Sequence, residues 1–137
     1  MNIKLIRATS DDLDIVIDID DLNRAELWKK AIAKNECFLI LDGAGVVGFV
    51  VFNYSFFGVG WLEMIEIRKD LRGKGIGEKT IELIIKMCKV PKIFISTNKS
   101  NTPMRKLLTK MNFTFSGELN GLDEGDPELF YYKKIDK

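Results

Sequence analysis

The stretch from Trp61 to Cys88 constrains this chain more than any other. Residues 59–67 read as a strand, and residues 76–90 carry Ile81, Ile84, Ile85 and Cys88 at the i, i+3, i+4, i+7 spacing of a helix. Between them stand Gly73, Gly75 and Gly77 at alternate positions, with Arg72 before them and Lys74 among them. A strand that passes through such a turn straight into a helix leaves unpaired main-chain N–H groups at the positive end of the helix dipole. Missing Cβ atoms then let an anion approach the chain. Any one of these glycines is explained by a tight turn alone; three of them with two cations read as a phosphate site.

The remaining segments fall into place around this unit. Residues 3–8 alternate as a strand, and Ser10 offers a helix N-cap followed by Asp11 and Asp12, which suit the positive helix end. Leu13, Val16, Ile17 and Asp20 then share one helical face, and a second helix over 22–33 places Leu27, Trp28 and Ala31 on its apolar side. Residues 37–41 form a short buried run, Asp42-Gly43-Ala44-Gly45 is a hairpin turn, and 46–54 return as a long strand. The aromatic and apolar run continues to Phe57, broken by Asn53 and Ser55; its rings Phe49, Phe52, Tyr54, Phe56 and Phe57, with Trp61, read mostly as core. After Pro91 come a strand at 93–96, a helix that starts at Asn101-Thr102-Pro103 and repeats Met104, Leu107, Leu108 and Met111 on one face, and closing strands at 113–118 and 129–135. This predicts a single α/β (α+β) domain over residues 1–137, with about seven strands in a mixed, mostly antiparallel sheet flanked by about four helices.

Composition removes several kinds of chemistry. The chain has 137 residues and no histidine, so Ser-His-Asp and Cys-His catalysis and imidazole metal sites are excluded. Cys37 and Cys88 stand alone, which excludes a Cys-based zinc site and a disulfide framework and points to a reducing cytoplasm. No metal is expected. Residues 1–7 alternate like a strand and lack the apolar centre of a signal peptide, and no apolar run reaches the roughly 18 residues of a membrane span. Twenty-one Lys and Arg against twenty Asp and Glu argue against a nucleic-acid coat protein. The charges are nevertheless segregated: residues 68–110 hold twelve Lys or Arg and three Asp or Glu, whereas 111–128 hold five acids and no cation.

Two familiar phosphate loops do not fit. A P-loop starting at Gly73 would need glycine where Glu78 stands, and the dinucleotide fingerprint fails at the same place, with Gly77 one position early. The segment instead resembles the acetyl-coenzyme A site of the GNAT superfamily of N-acetyltransferases. The family's Arg/Gln-x-x-Gly-x-Gly/Ala motif is matched by Arg72-Gly73-Lys74-Gly75-Ile76-Gly77 at every fixed position. Ile67 fills the apolar strand end before it, and Asn101 and a helix ending in Met111-Asn112-Phe113 follow in the family's order.

The resemblance implies acetyl-CoA as cosubstrate, with the amides of Arg72, Gly73, Lys74, Gly75, Ile76 and Gly77 on its pyrophosphate. It implies pairing of the main chain over 65–67, at Ile65 and Ile67, with the pantetheine arm, an N–H there on the thioester carbonyl, and a contact from Asn101. Lys74, Lys79, Lys106 and Lys110 are candidate rim contacts to phosphate, each equally readable as a surface lysine. Where many members place a tyrosine acid, this chain has Leu108. A thiolate leaves without much help, so direct attack survives that change. Some relatives use a carboxylate base on the strand entering the glycine loop; here Glu63 is the first candidate and Glu66 the second, against a structural ion pair. Asp123, Glu124 and Asp126, with Glu128, could hold a cationic acceptor or form a solvated turn.

The expected activity is therefore transfer of an acetyl group to a primary amine, on a small molecule or a peptide. A catalytically weak coenzyme-binding module and a nucleotide-binding domain are the alternatives. Neither a nucleic-acid nor a membrane partner is expected, and pairing into a homodimer is implied by resemblance only.

Overall fold

The local signals settle into the expected order of elements in a computed structural model, which describes every residue except Asp21, Asn23 and Lys137. Among the described residues the elements are β1 (Ile3–Arg7), α1 (Leu13–Ile19), α2 (Ala25–Ala33), β2 (Cys37–Asp42), β3 (Gly45–Asn53), β4 (Gly60–Ile67), α3 (Ile76–Met87), β5 (Lys92–Asn98), α4 (Thr102–Lys110), β6 (Thr114–Leu119) and β7 (Glu128–Lys134). The seven strands form one sheet in the order β1-β2-β3-β4-β5-β7-β6. The β1–β2, β2–β3, β5–β7 and β6–β7 pairs are antiparallel, while β4 and β5 are parallel, joined by the crossover that contains α3. None of the helices among the described residues is long and apolar enough to cross a membrane.

The chain divides into two compact units, Met1–Asn53 with Glu63–Met87, and Tyr54–Leu62 with Cys88–Lys137. In the first, α1 and α2 bury Val16, Ile19, Trp28, Ala31 and Ile32 against Cys37, Leu39, Phe49 and Val51 of β2 and β3. These strand residues share one face because side chains alternate along β2 and β3, whose register pairs Cys37 with Val51 and Leu39 with Phe49. Asp20 is buried at the end of α1, and its carboxylate accepts from the Trp28 indole, from Arg24 Nε at 3.1 Å and Nη2 at 2.6 Å, and from Leu22 N at 3.2 Å. Burial alone would raise its pKa, but the bonds from Arg24 and Trp28 outweigh it and hold the carboxyl below its ordinary value. Burial, helped by the charge of Asp12, pushes the Cys37 thiol up to about 12.

In the second unit α4 buries Leu108, and Ile93, Ile95, Leu129 and Tyr131 form the buried alternate positions of β5 and β7. The other face of these strands is aromatic and half-buried: Phe56 stacks on Trp61 at 4.7 Å and on Phe130 at 5.9 Å, and Phe94 stacks on Tyr132 at 5.5 Å.

Three local expectations shift. The first cap is Thr9, whose N–H donates to Asp12 Oδ2 at 2.8 Å around a 3-10 turn at Ser10–Asp12; neighbouring hydroxyls make the two positions indistinguishable by residue type. The second helix starts at Ala25, so Ile32 joins Trp28 and Ala31 inside while Leu27 is 47% exposed. The aromatic run also splits: Phe49 and Phe52 are core, but Phe57 sits at φ +54 in the turn before β4, 90% exposed.

Candidate active site

The glycine loop is braced from behind by two arginines. At the end of β4, Arg68 N donates to Val47 O at 2.9 Å and its Nε to Val46 O at 2.8 Å, next to the register shift that separates Ile40 and Leu41 in the β2–β3 ladder. A 3-10 turn at Lys69–Leu71 follows. Arg72 then folds back on the strand, with Nε on Ile67 O at 2.9 Å and Nη2 on Glu66 Oε1 at 2.8 Å. The guanidinium thereby balances the Glu66 carboxylate. Arg72 N reaches Lys69 O at 3.5 Å, so its amide is turned inward.

Beyond Arg72 the chain opens. Gly73 and Gly75 take φ +77 and +87, a left-handed conformation that side chains other than glycine's adopt at a cost. Ile76 is buried at the start of α3 and anchors it, and the helix takes up its own bonding with Lys79 N on Gly75 O at 3.2 Å and Thr80 Oγ1 on Ile76 O at 2.8 Å. Among the described residues, the N–H groups of Gly73, Lys74, Gly75, Ile76 and Gly77 donate to no protein acceptor. No heavy atom lies within 4 Å of where a Cβ on Gly73 would stand. The turn therefore presents a row of bare donors at a helix N-terminus, in space where an anion's oxygens fit.

The strand feeding this loop is prepared in the same way. The Glu66 carbonyl points at β3, where a Cβ on Gly48 would lie 2.3 Å from it. Alternation then directs the N–H and C=O groups of Ile65 and Ile67 to the opposite edge of β4. The parallel ladder on that edge runs from Gly60 to Leu62, and β4 continues five residues further, over Glu63–Ile67. The Ile67 carbonyl is held by Arg72, which leaves its N–H and both groups of Ile65 directed outward from the strand.

Of the two carboxylates on β4, Glu66 is in the ion pair with Arg72, and Glu63 meets an amide. The buried Asn53 donates through Nδ2 to Glu63 Oε1 at 3.2 Å and to Glu36 Oε1 at 3.3 Å. One amide at the end of β3 thus joins two carboxylates, one just before β2 and one within β4. Sequence reasoning missed Asn53 and Glu36; the available signal was a single amide ending an apolar strand run, a group that must find a partner if buried.

In the second unit Asn101 caps α4, its Oδ1 accepting from Met104 N at 3.3 Å while its Nδ2 has no acceptor among the described residues. Leu108 is fully buried, so the helix offers no hydroxyl at that position. The acidic loop is tied down locally. Asp123 Oδ2 accepts from Asn98 Nδ2 at 2.9 Å, Asp126 accepts from Ser100 N at 3.0 Å and Oγ at 2.5 Å, and Glu128 accepts from Ser96 Oγ at 2.6 Å. Only Glu124 of these acids has no hydrogen bond or ion pair among the described residues.

A strand edge, a row of amides without protein acceptors and a half-buried carboxylate together suit a phosphate-bearing ligand. Comparison with known proteins gives the family. The model of the acetyltransferase (GNAT) family matches residues 7–113, and the chain belongs to that family. It is 30% identical to a GNAT-family acetyltransferase from Bacillus cereus, over the whole of both chains, with a TM-score of 0.88. The fold also matches Ard1 from Thermoplasma volcanium (11% identity, all of both chains, TM-score 0.86). A third match is a GNAT-family acetyltransferase from Elizabethkingia anophelis with acetyl-CoA bound (18% identity, 98% of this chain and 99% of that one, TM-score 0.79). No curated protein matches the sequence. The chain is thus an acyltransferase with a seven-stranded GNAT fold.

Proposed function

We propose that this chain transfers the acetyl group of acetyl-CoA to a primary amine by direct attack of the amine on the thioester. The observation that carries the reading is the run of N–H groups from Gly73 to Gly77 without protein acceptors, at the N-terminus of α3. Donors of this kind suit a diphosphate, and the clear space at Gly73 admits one. Acetyl-CoA supplies an acyl group activated as a thioester; the rest falls to the protein. Ile65 and Ile67 offer main-chain groups to the amide-bearing arm as an added strand would meet them. An N–H on this edge polarises a carbonyl oxygen placed there. Asn101 is retained as a contact through the family resemblance alone.

Glu63 is the proposed base that takes the proton of an acceptor arriving as an ammonium ion, directly or through water. Asn53 holds one of its oxygens and leaves the other free. Glu66 is assigned to bracing, because Arg72 already occupies it. Leu108 leaves the thiolate to depart unassisted, which a thiol titrating near ~8.5 permits.

A second reading is supported by the same Leu108: a module that binds the coenzyme and transfers nothing. One experiment separates them. Acetyl-CoA at a hundred times its dissociation constant should stabilise the chain by about 2.7 kcal/mol, a shift of several degrees in a thermal melt, where ATP gives none. Thiol release should then appear with one or more members of a panel of primary amines. Stabilisation without thiol release from any amine establishes the binding module, and no stabilisation by acetyl-CoA defeats both readings.

A further inference from the structure

Glu36 stands outside the glycine loop and the free edge of β4, and the way α2 ends fixes its place. Asn35 takes φ +60 and closes a Schellman turn, in which its N–H donates to Ile32 O at 3.0 Å and the N–H of Glu36 to Ala31 O at 2.9 Å. Asparagine enters this left-handed conformation more readily than most side chains. The Glu36 carbonyl in turn accepts from the N–H of Phe52 at 2.9 Å, one residue before Asn53. The main chain of Glu36 is thus fastened to α2 on one side and to β3 on the other, within the same compact unit as Asn53 and Glu63.

Asn53 ends β3 with 6% of its surface exposed. An amide nitrogen carries two N–H groups, and two carboxylates take them up: Glu36 Oε1 at 3.3 Å and Glu63 Oε1 at 3.2 Å. Turned over, the amide would set its own oxygen against both carboxylate oxygens, so the two acids together fix which way it faces. Asn53 Nδ2 is also the one side-chain donor that either acid has among the described residues, and neither acid forms an ion pair there. Glu66, by contrast, is held directly by Arg72. The bearing of the Glu63 carboxylate therefore depends on the amide, and that of the amide on Glu36.

We infer that Glu36 is a positioning residue for the transfer reaction, acting through Asn53 on Glu63. The inference rests on the reading of Glu63 as the base. Glu36 holds the amide, the amide holds Glu63 Oε1, and the second Glu63 oxygen is thereby presented in one direction; the role requires no contact between Glu36 and either substrate. The terminal torsion of asparagine has broad, shallow wells, so without Glu36 the amide swings and Glu63 loses its fixed orientation. A displacement of about 1 Å in a reacting group is enough to slow a reaction substantially. What Glu36 contributes is an acceptor oxygen at a fixed place, and its charge is secondary.

Turnover is measured at saturating acetyl-CoA with the amine that gives the fastest thiol release. Glu36→Ala should lower kcat by roughly tenfold and leave the acetyl-CoA dissociation constant as it was. Glu36→Gln, whose side-chain oxygen still accepts from Asn53, should recover most of that loss. In the Glu63→Gln background, Glu36→Ala should change the residual rate by less than about twofold, because members of one hydrogen-bond network do not act additively. Urea melts of each variant restrict the comparison to folded protein. An undiminished kcat in Glu36→Ala, beside an impaired Glu63→Gln, overturns the inference and leaves the base reading standing. Equal damage from Gln and Ala assigns the effect to charge, and a tenfold loss repeated in the Glu63→Gln background assigns it to the fold; either result overturns the inference too. An unaltered pH–rate profile in Glu63→Gln removes the base itself, and the positioning role falls with it.

Discussion

Glu63 and Glu66 stand three residues apart on one strand, and their different partners support the separate roles proposed for them. An ion-paired carboxylate is a poor proton acceptor, whereas one held by an amide keeps a free oxygen. Glu63→Gln preserves the oxygen that Asn53 bonds and removes only the basicity. Turnover should fall by roughly 10²-fold or more, its rise with pH should flatten, and acetyl-CoA affinity should stay as it was. An unaltered pH–rate profile in that variant removes Glu63 from the mechanism. Asp20 belongs to the same scale but to stability. Its folded pKa lies below the ordinary value, so its contribution is complete above about pH 4 and disappears as pH falls through the lowered folded value. Asp20→Asn should cost about 1.5–3 kcal/mol at pH 7. Urea unfolding at pH 7 and pH 3 should show the gap between wild type and variant narrowing in acid; a constant gap would mean that the charge contributes nothing.

At the scale of elements, the β4–loop–α3 unit was readable because every part of it is local. Its strand alternation, the three glycines and the helical stripe all lie within residues 59–90, and the structure ends the helix only three residues short of that range. The brace behind the loop was not readable. Arg72 looks like a phosphate ligand in sequence, and only the reverse turn of the chain brings it onto Glu66 and Ile67 O. The Asn53 link likewise joins residues 17 and 10 positions away, a pairing that no window of sequence contains. Gly73 allows the loop's two demands to be separated. A Cβ there meets no protein atom, so Gly73→Ala should cost only the left-handed strain, about 1–2 kcal/mol. The same methyl projects into the space assigned to the diphosphate, so acetyl-CoA binding should weaken by more than about tenfold. Calorimetric titration beside a urea melt checks both. Undiminished affinity would show that the coenzyme does not approach the chain at Gly73.

Over the whole molecule the charge nearly cancels, at +1, but its distribution along the chain does not. The basic excess over residues 68–110 and the acidic run over 111–128 read, by sequence, as one region for a polyanion and another for a cation. The two halves of that idea separate once the hydrogen bonds are known. Lys74 and Lys79 are exposed near the bare amides, where they can draw in an anionic coenzyme through solvent. Asp123, Asp126 and Glu128 instead bond Asn98, Ser100 and Ser96, so they fix the loop between β6 and β7 and have part of their acceptor capacity already engaged. Sequence composition could not distinguish these cases, since a bonded carboxylate and a free one count alike, and the bonding depends on β7 lying between β5 and β6 in the sheet. Salt reads the difference, because exposed charges are screened beyond about 10 Å at 0.1 M ionic strength. Raising ionic strength should increase the KM for acetyl-CoA several-fold and change the KM for the acceptor amine by less than about twofold. A steep rise in the acceptor KM would return the acidic loop to substrate recognition, and an unmoved coenzyme KM would deny the lysines any part in capture.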